Sequence, residues 1–372
     1  MFRKLWKATK LALLTLLALL LVLVAVGIGY RTWCHHQIAR ATMIDRAKGV
    51  DEAFFAPIGG IQQWLTIRGQ DRDNPVLLLV HGGPGVATSP YPRDVLFAWT
   101  RDFTLVQWDQ RGAAKTYGRS GPFAPDVTID RMAQDGIEVA ELLRTRLHKP
   151  KIIVLGLSFG TIVGVHMVKS RPDLFYAYVG TGQMVSERDA EPLDYRSVLD
   201  KARARADQPA VAELEKIGPP PYRTQADLGV QRKWARAYEP NALSNFGLVK
   251  TILFDSTASP GDIRDYVRGV VDSQDHFFGE DMTGPLASVD LRALGPDFAV
   301  PFFVFNGSED DIAPSSLARD YVAQISAPRK QFVAIANAGH TAMNTRSDEF
   351  LRLLDQYVRP LASEYPSRLT SP

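Results

Sequence analysis

Between Leu11 and Gly29 every side chain except Thr15 is apolar or glycine. As a helix rising 1.5 Å per residue, such a run spans about 28 Å, close to the hydrocarbon thickness of a bilayer. It predicts one membrane-spanning helix. Arg3, Lys4, Lys7 and Lys10 precede the run, whereas only Arg31 and Arg40 follow it closely. The positive-inside bias then leaves the short N-terminus in the cytoplasm and the body on the other side of the membrane. A cleavable signal peptide is the rival reading, with Ala25-Val26-Gly27 as a weak small-x-small site, which would leave a secreted or periplasmic body. The apolar run is long for the core of a signal peptide, about 7–15 residues, which favours an uncleaved anchor. Residues 1–30 are therefore assigned to the anchor and 31–50 to a connecting stalk.

Beyond the stalk the pattern changes. Ile61 to Arg68 alternates as a half-buried strand does, and Pro75 to Val80 is a short, continuous apolar run of the kind found in strands covered on both faces. Similar runs recur at Phe103–Trp108, Lys151–Leu155, Tyr176–Gly180, Pro301–Phe305 and Gln331–Ile335. A helix is predicted from Thr128, with Ile129, Met132, Ala133, Ile137, Ala140, Leu143 and Leu147 on one face and charged residues on the other. Strands alternating with helices imply an α/β fold, a mostly parallel sheet with helices on both faces. The strand pattern stops between about Ser186 and Leu294, where the chain turns helical and charge-rich and passes through Gly218-Pro219-Pro220-Pro221. This segment reads as an inserted helical cap, or else a small separate domain. The expected organisation is a core of 51–185 and 296–362 interrupted by a cap of 186–295.

The 372 residues suffice for a large core, and the balance of charges, net +2 with 23% charged residues, removes a polyanion as partner. No nucleic-acid binding is expected. The single cysteine, Cys34, excludes an intramolecular disulfide. Cys34-His35-His36 lacks the spaced ligands of a closed metal site and reads as juxtamembrane polar sequence.

The chemistry lies in Gly156-Leu157-Ser158-Phe159-Gly160, a G-x-S-x-G run directly after a predicted strand and directly before the helical stretch 161–169. At such a strand-to-helix turn the serine hydroxyl is exposed, and the following helix aims its N-terminal N–H groups at developing negative charge. A serine hydroxyl needs a base with a pKa near 7, which imidazole supplies. Among seven histidines His340 stands out, because Ala338-Gly339-His340 follows the last predicted strand; His148 and His166 fall on helices and His276 in the cap. The orienting carboxylate should come between serine and histidine in the chain. Ser308-Glu309-Asp310-Asp311 supplies three acids after the strand 301–305, and Asp310 fits best, three residues after Gly307 and four before Pro314, with Glu309 and Asp311 as alternatives. Oxyanion donors are assigned to the backbone N–H groups of Gly83, in His81-Gly82-Gly83-Pro84-Gly85, and of Phe159. The glycine-rich loop lacks the G-K-[ST] ending of a phosphate-binding loop.

HGGPG at 81–85, WDQRG at 108–112, GLSFG at 156–160, the GSEDDIAP loop and AGH at 338–340 together resemble the proline iminopeptidases among the α/β-hydrolases. The resemblance implies release of an N-terminal residue, often proline, from a small peptide or amide through an acyl-enzyme, with no metal or organic cofactor. It also implies acids from the cap meeting the substrate's free amine, for which Glu187 and Glu191 are the candidates, solvated helix charges being the alternative. After Asp109-Gln110-Arg111-Gly112 the chain runs into Ala113-Ala114-Lys115-Thr116, a departure from the usual D-Q-R-G-x-G-x-S. Two other readings remain: a hydrolase of esters, lactones or acylated small molecules without an amine pocket, and a catalytically silent, membrane-tethered binding protein.

Overall fold

The computed structural model describes residues 2–91, 93–124, 126–241, 254 and 258–363. Helix α1, Phe2–Ala41, includes the apolar run and is long and apolar enough to cross a membrane, with a mean hydropathy of 3.1 in its most apolar window. It continues ten residues past Arg31, so half of the expected stalk is helix.

Eight strands form one sheet in the order β1-β2-β4-β3-β5-β6-β7-β8. They are β1 Val50–Ile58, β2 Ile61–Gly69, β3 Val76–Val80, β4 Thr104–Asp109, β5 Ile152–Leu157, β6 Phe175–Thr181, β7 Phe302–Gly307 and β8 Lys330–Ile335. From β4 to β8 every neighbouring pair is parallel, and only β1 with β2 and β2 with β4 are antiparallel. Seven of these strands fall on the predicted runs. The eighth, β1, has no clean alternation and pairs as an edge strand across the tight Gly59-Gly60 turn.

The continuous apolar runs arise because both sheet faces are covered. On β3, Val76, Leu78 and Val80 enter one core cluster with residues of helices α3 (Ile129–Leu147) and α4 (Phe159–Ser170). Leu77 and Leu79, pointing the other way, join a second cluster with Trp99, Phe350 and Leu354. Helix α3 starts where predicted, its Thr128 side chain accepting the Arg131 N–H as an N-cap; the short α2, Ala114–Ser120, precedes it.

Between β6 and β7 the chain is helical: α5 Glu187–Ala204, α6 Gln208–Ile217, α7 Gln225–Ala237 and α8 Pro260–Phe278. Residues 242–253 and 255–257 of the expected cap lie outside the described residues. Helix α9, Ser315–Gln324, follows β7, and α10 Ala342–Thr345, α11 Ser347–Tyr357 and α12 Arg359–Ser363 follow β8. Helix α5 begins at Glu187 behind an N-cap from Ser186, so the two glutamates singled out in the sequence lie on its first turns. The carboxyl ends of β3, β5, β6, β7 and β8, adjacent in the sheet, are where loops of an open parallel sheet form a crevice.

Candidate active site

Ser158 sits between β5 and α4 with φ 52° and ψ −122°, a left-handed region that a residue with a Cβ enters at a cost of about 1–3 kcal/mol. Its neighbours hold it there. The Ser158 N–H donates to the Thr181 carbonyl (3.0 Å), and its own carbonyl accepts from the Thr161 N–H (2.8 Å) and hydroxyl (2.6 Å). The glycines of the motif are required by crowding: a Cβ on Gly160 would lie 2.0 Å from the Val80 carbonyl oxygen, and one on Gly156 2.7 Å from the Gly160 carbonyl oxygen. Helix α4 can therefore press its first turn onto β3 only with glycine at 160. Phe159 begins that helix, buried, with its ring 4.9 Å from that of Phe277. Its backbone N–H belongs to the first turn, whose N–H groups have no acceptor within the helix.

The loop after β3 lies directly over Ser158, so close that a Cβ on Gly82 would come 2.9 Å from the Ser158 Cβ. Gly83, the next residue, has φ +120°, reached without strain only by glycine. His81 anchors the loop. Burial lowers its pKa to about 4, and as a neutral ring it donates from Nδ1 to the Gly82 carbonyl (2.9 Å) and accepts at Nε2 from the Gln110 N–H (3.2 Å). The Gln110 side chain returns a bond to the His81 carbonyl (2.8 Å). Arg111 pairs with buried Asp135 on α3 (2.9 Å) and donates to the Gly59 carbonyl (2.7 Å). The D-Q-R-G sequence thus braces the H-G-G-P-G loop.

His340 follows β8 and is largely buried. Its Nδ1 lies 3.0 and 3.1 Å from the two carboxylate oxygens of Asp310, whose side chain is wholly buried. Asp310 is held in turn by the N–H groups of Ile312 (3.0 Å) and Ala313 (2.8 Å), both donating to Oδ1. The two rival acids point elsewhere: Asp311 pairs with Lys201 (2.5 Å) and Ser197 (2.7 Å) on α5, and Glu309 is exposed. The imidazole rests on Gly182, where an added Cβ would lie 2.8 Å from its Cε1. Gly182 follows Thr181, the backbone partner of Ser158. Serine, aspartate and histidine thus follow β5, β7 and β8, with Gly182 at the end of the intervening β6.

Glu187 and Glu191 are buried rather than solvated. Glu187 accepts from Arg232 of α7 (3.1 Å), as does Asp194 (2.9 Å). Burial, reinforced by Glu187 and opposed by Arg232, pushes the Glu191 carboxyl up to about 7; burial also raises that of Asp194. Burial disfavours the charge of Arg232, but Asp194, Glu187 and Glu191 outweigh it and hold the guanidinium charged. A further acid, against the loop that carries His340, is one the sequence motifs did not indicate. Glu239, just past the end of α7, packs against Gly339 and accepts from the Thr341 N–H (2.6 Å) and hydroxyl (2.7 Å). Nothing in its local sequence marks it, since its position depends on α7 folding back over the β8 loop.

Among the described residues no group of three or more His, Cys, Asp or Glu is placed to hold a metal ion. Cys34 is buried on α1.

The alpha/beta hydrolase fold family model matches residues 75–346. A probable aminopeptidase of Bacillus subtilis is 27% identical over 321 residues, covering 85% of this chain and 99% of that protein. A probable proline iminopeptidase of Streptomyces coelicolor is 25% identical over 308 residues, covering 80% of this chain and 91% of its own. Among solved structures, a proline iminopeptidase from Mycobacterium smegmatis superposes with a TM-score of 0.57 at 18% identity, over 84% of this chain and 99% of that one. A strained serine between strand and helix, a histidine and aspartate on the loops beside it and a family match from β3 through β8 agree: the chain belongs to the alpha/beta hydrolase fold family, as a hydrolase similar to the proline iminopeptidases.

Proposed function

We propose that the protein is a serine aminopeptidase of the proline iminopeptidase type, releasing an N-terminal residue from a small peptide or amide. The observation that carries the reading is the Asp310–His340 pair resting on Gly182 beside Ser158, with the Glu239 carboxylate bonded to the residue after His340. Ser158 Oγ attacks the scissile carbonyl while its proton passes to His340 Nε2. Asp310 keeps the Nδ1 proton in place and stabilises the imidazolium without taking the proton. The N–H groups of Gly83 and Phe159 receive the oxyanion. As the C–N bond breaks, the leaving amine takes the proton from His340 Nε2 and the acyl group stays on Ser158 Oγ. Water then adds through the same base, restoring the serine and releasing the free residue.

Recognition of the substrate's ammonium falls to the acids of the inserted helices, the segment 186–295 acting as the cap. Glu187 and Glu191 share their buried surroundings with Asp194 and a single guanidinium, Arg232, so the cluster has carboxylate to spare for a second cation. Glu239 is bonded to the residue after the base. Helix α1 serves as the anchor, with the basic N-terminus in the cytoplasm and the hydrolase body outside it.

The test is arylamine release from a proline anilide, with an acetyl aryl ester alongside. Anilide cleavage is expected in the wild type and absent in Ser158→Ala. Glu239→Gln and Glu191→Gln should each raise KM for the anilide about tenfold or more, as loss of an ion pair to a bound ammonium does, while leaving ester cleavage near its original rate. Ester cleavage without anilide cleavage would replace the aminopeptidase with an esterase. Inactivity on both would leave a membrane-tethered binding protein.

A further inference from the structure

The loop that carries Asp310 is held from behind by the inserted helices. Arg232 of α7 directs Nη1 to Asp194 Oδ2 (2.9 Å) and to the Ile312 carbonyl (3.1 Å), and Nη2 to Glu187 Oε1 (3.1 Å). The Ile312 carbonyl and the Ala313 N–H belong to one peptide unit, which is planar and stiff. At its other end the Ala313 N–H donates to Asp310 Oδ1 (2.8 Å), the same oxygen that meets His340 Nδ1 at 3.0 Å. An unbroken chain of hydrogen bonds therefore runs from two carboxylates of α5, through one guanidinium and one peptide plane, to the acid and then to the base.

We propose that Arg232 is a positioning residue: by gripping the Ile312–Ala313 peptide it aims Asp310 at His340 and so holds the base in place. The proposal rests on the triad read above. Three features of the arrangement support it. Arg232 is nearly buried, with 14% of its side chain exposed, and its partners Asp194 and Glu187 are at 0% and 6%, so the bonds act at low dielectric and are little exchanged with water. A planar fork is required, since only a guanidinium presents donors in fixed directions to two carboxylates and a carbonyl at once. Asp311, the residue before Ile312, is separately fixed by Lys201 and Ser197 of α5, so loss of Arg232 frees the peptide to turn without releasing the loop. The ionisable groups facing the guanidinium are Glu187, Glu191 and Asp194 from α5, Tyr222 from the stretch before α7 and Asp310 from the loop.

The experiment uses the full chain in detergent and a fluorophosphonate probe that reacts with an activated serine whatever the natural substrate. Labelling rates are measured against pH for the wild type, Arg232→Met, Arg232→Lys and Lys201→Met, with thermal unfolding followed in parallel. Arg232→Met is expected to label about tenfold or more slowly, the cost of a base held off its working geometry. The loss should extend along the whole pH profile, because a misplaced base lowers the rate at every pH. Arg232→Lys, which keeps the charge beside Glu187 and Asp194 and so protects the fold, should recover little of the rate, and Lys201→Met should stay near wild type. An unchanged rate across the pH profile in folded Arg232→Lys would overturn the proposal, as would an equal loss in Lys201→Met. Failure of the wild type to label, or labelling that survives Ser158→Ala, would instead sink the serine hydrolase reading itself, and the proposal with it.

Discussion

Gly182 has no side chain, yet the position of the His340 ring depends on it. The ring's Cε1 lies 2.8 Å from where a Cβ would be, and φ of +55° is a conformation that alanine adopts only with strain. Gly182→Ala should therefore lower stability by about 1–2 kcal/mol and, by pushing the imidazole away from Ser158, lower kcat about tenfold or more with KM little changed. A stopped assay on both parameters checks this, and a rise in KM alone would mean that the ring does not work where it lies. Ser158 and His340 act as one unit in the proposed mechanism, so Ser158→Ala, His340→Ala and the double variant should have nearly equal residual rates; additive losses would deny their cooperation. Residues of this kind were unequally legible in the sequence. Ser158, Asp310 and His340 are marked because each falls within five residues of a strand's carboxyl end, in a motif whose spacing the turn geometry imposes. Glu239, Gly182 and Arg232 are not marked, because what matters about them is which loop a distant helix or strand end happens to touch, and no local pattern encodes that.

At the scale of elements, the buried parallel strands were readable because two covered faces demand unbroken apolar runs. β1 was not, since VDEAFFAPI has one half-exposed face and its pairing follows from the turn rather than from hydrophobicity. The helical segment past Arg31 was missed for a related reason: α1 continues through polar residues to Ala41 without the apolar composition that revealed its first half. The end of β4 shows how a motif can be structural while sounding catalytic. Asp109, the first residue of D-Q-R-G, is fully buried; that burial pushes its carboxyl up to about 7, against bonds from Ser89 and the Lys115 N–H. The folded-state pKa stands above the unfolded value of about 3.9, so the folded chain holds a proton that the unfolded chain has lost. Its contribution to stability is present below about pH 4 and is lost as pH rises through about 7. Asp109→Asn, which can still accept from the Lys115 N–H, should remove that dependence and favour the folded state by about 2–3 kcal/mol more at pH 8 than at pH 5. Chemical unfolding at the two pH values measures the difference, and a gain of the same size at both would mean that Asp109 is ionised throughout.

The whole molecule joins a long apolar helix to a hydrolase body through few points of contact. The apolar side chains of α1 are exposed from Leu11 to Ile28, and none of the core clusters among the described residues draws on the helix. Contact with the body comes in the last third of the helix, where the Tyr30 and Phe254 rings lie 5.3 Å apart and Arg31 donates to the Ala258 carbonyl. Both partners belong to the segment between α7 and α8, in the inserted region. Apolar surface left in water on this scale has no stable place in a monomeric soluble protein, which suits a membrane span or a signal sequence. If that is so, the first thirty residues supply location and not structure. A chain beginning at Arg31 keeps the bond to Ala258, the buried Cys34 and every core cluster. It should be recovered without detergent, unfold in one cooperative step within a few degrees of the full chain in detergent, and label with a fluorophosphonate at the same rate within about threefold, since surface changes remote from a site usually alter its energetics by less than about 0.5 kcal/mol. The full chain should remain with membranes after alkaline extraction, whereas the shortened chain should not. A shortened chain that folds but reacts far more slowly would show that the helix acts on the site through Phe254 and Ala258, making the anchor part of the enzyme's working parts.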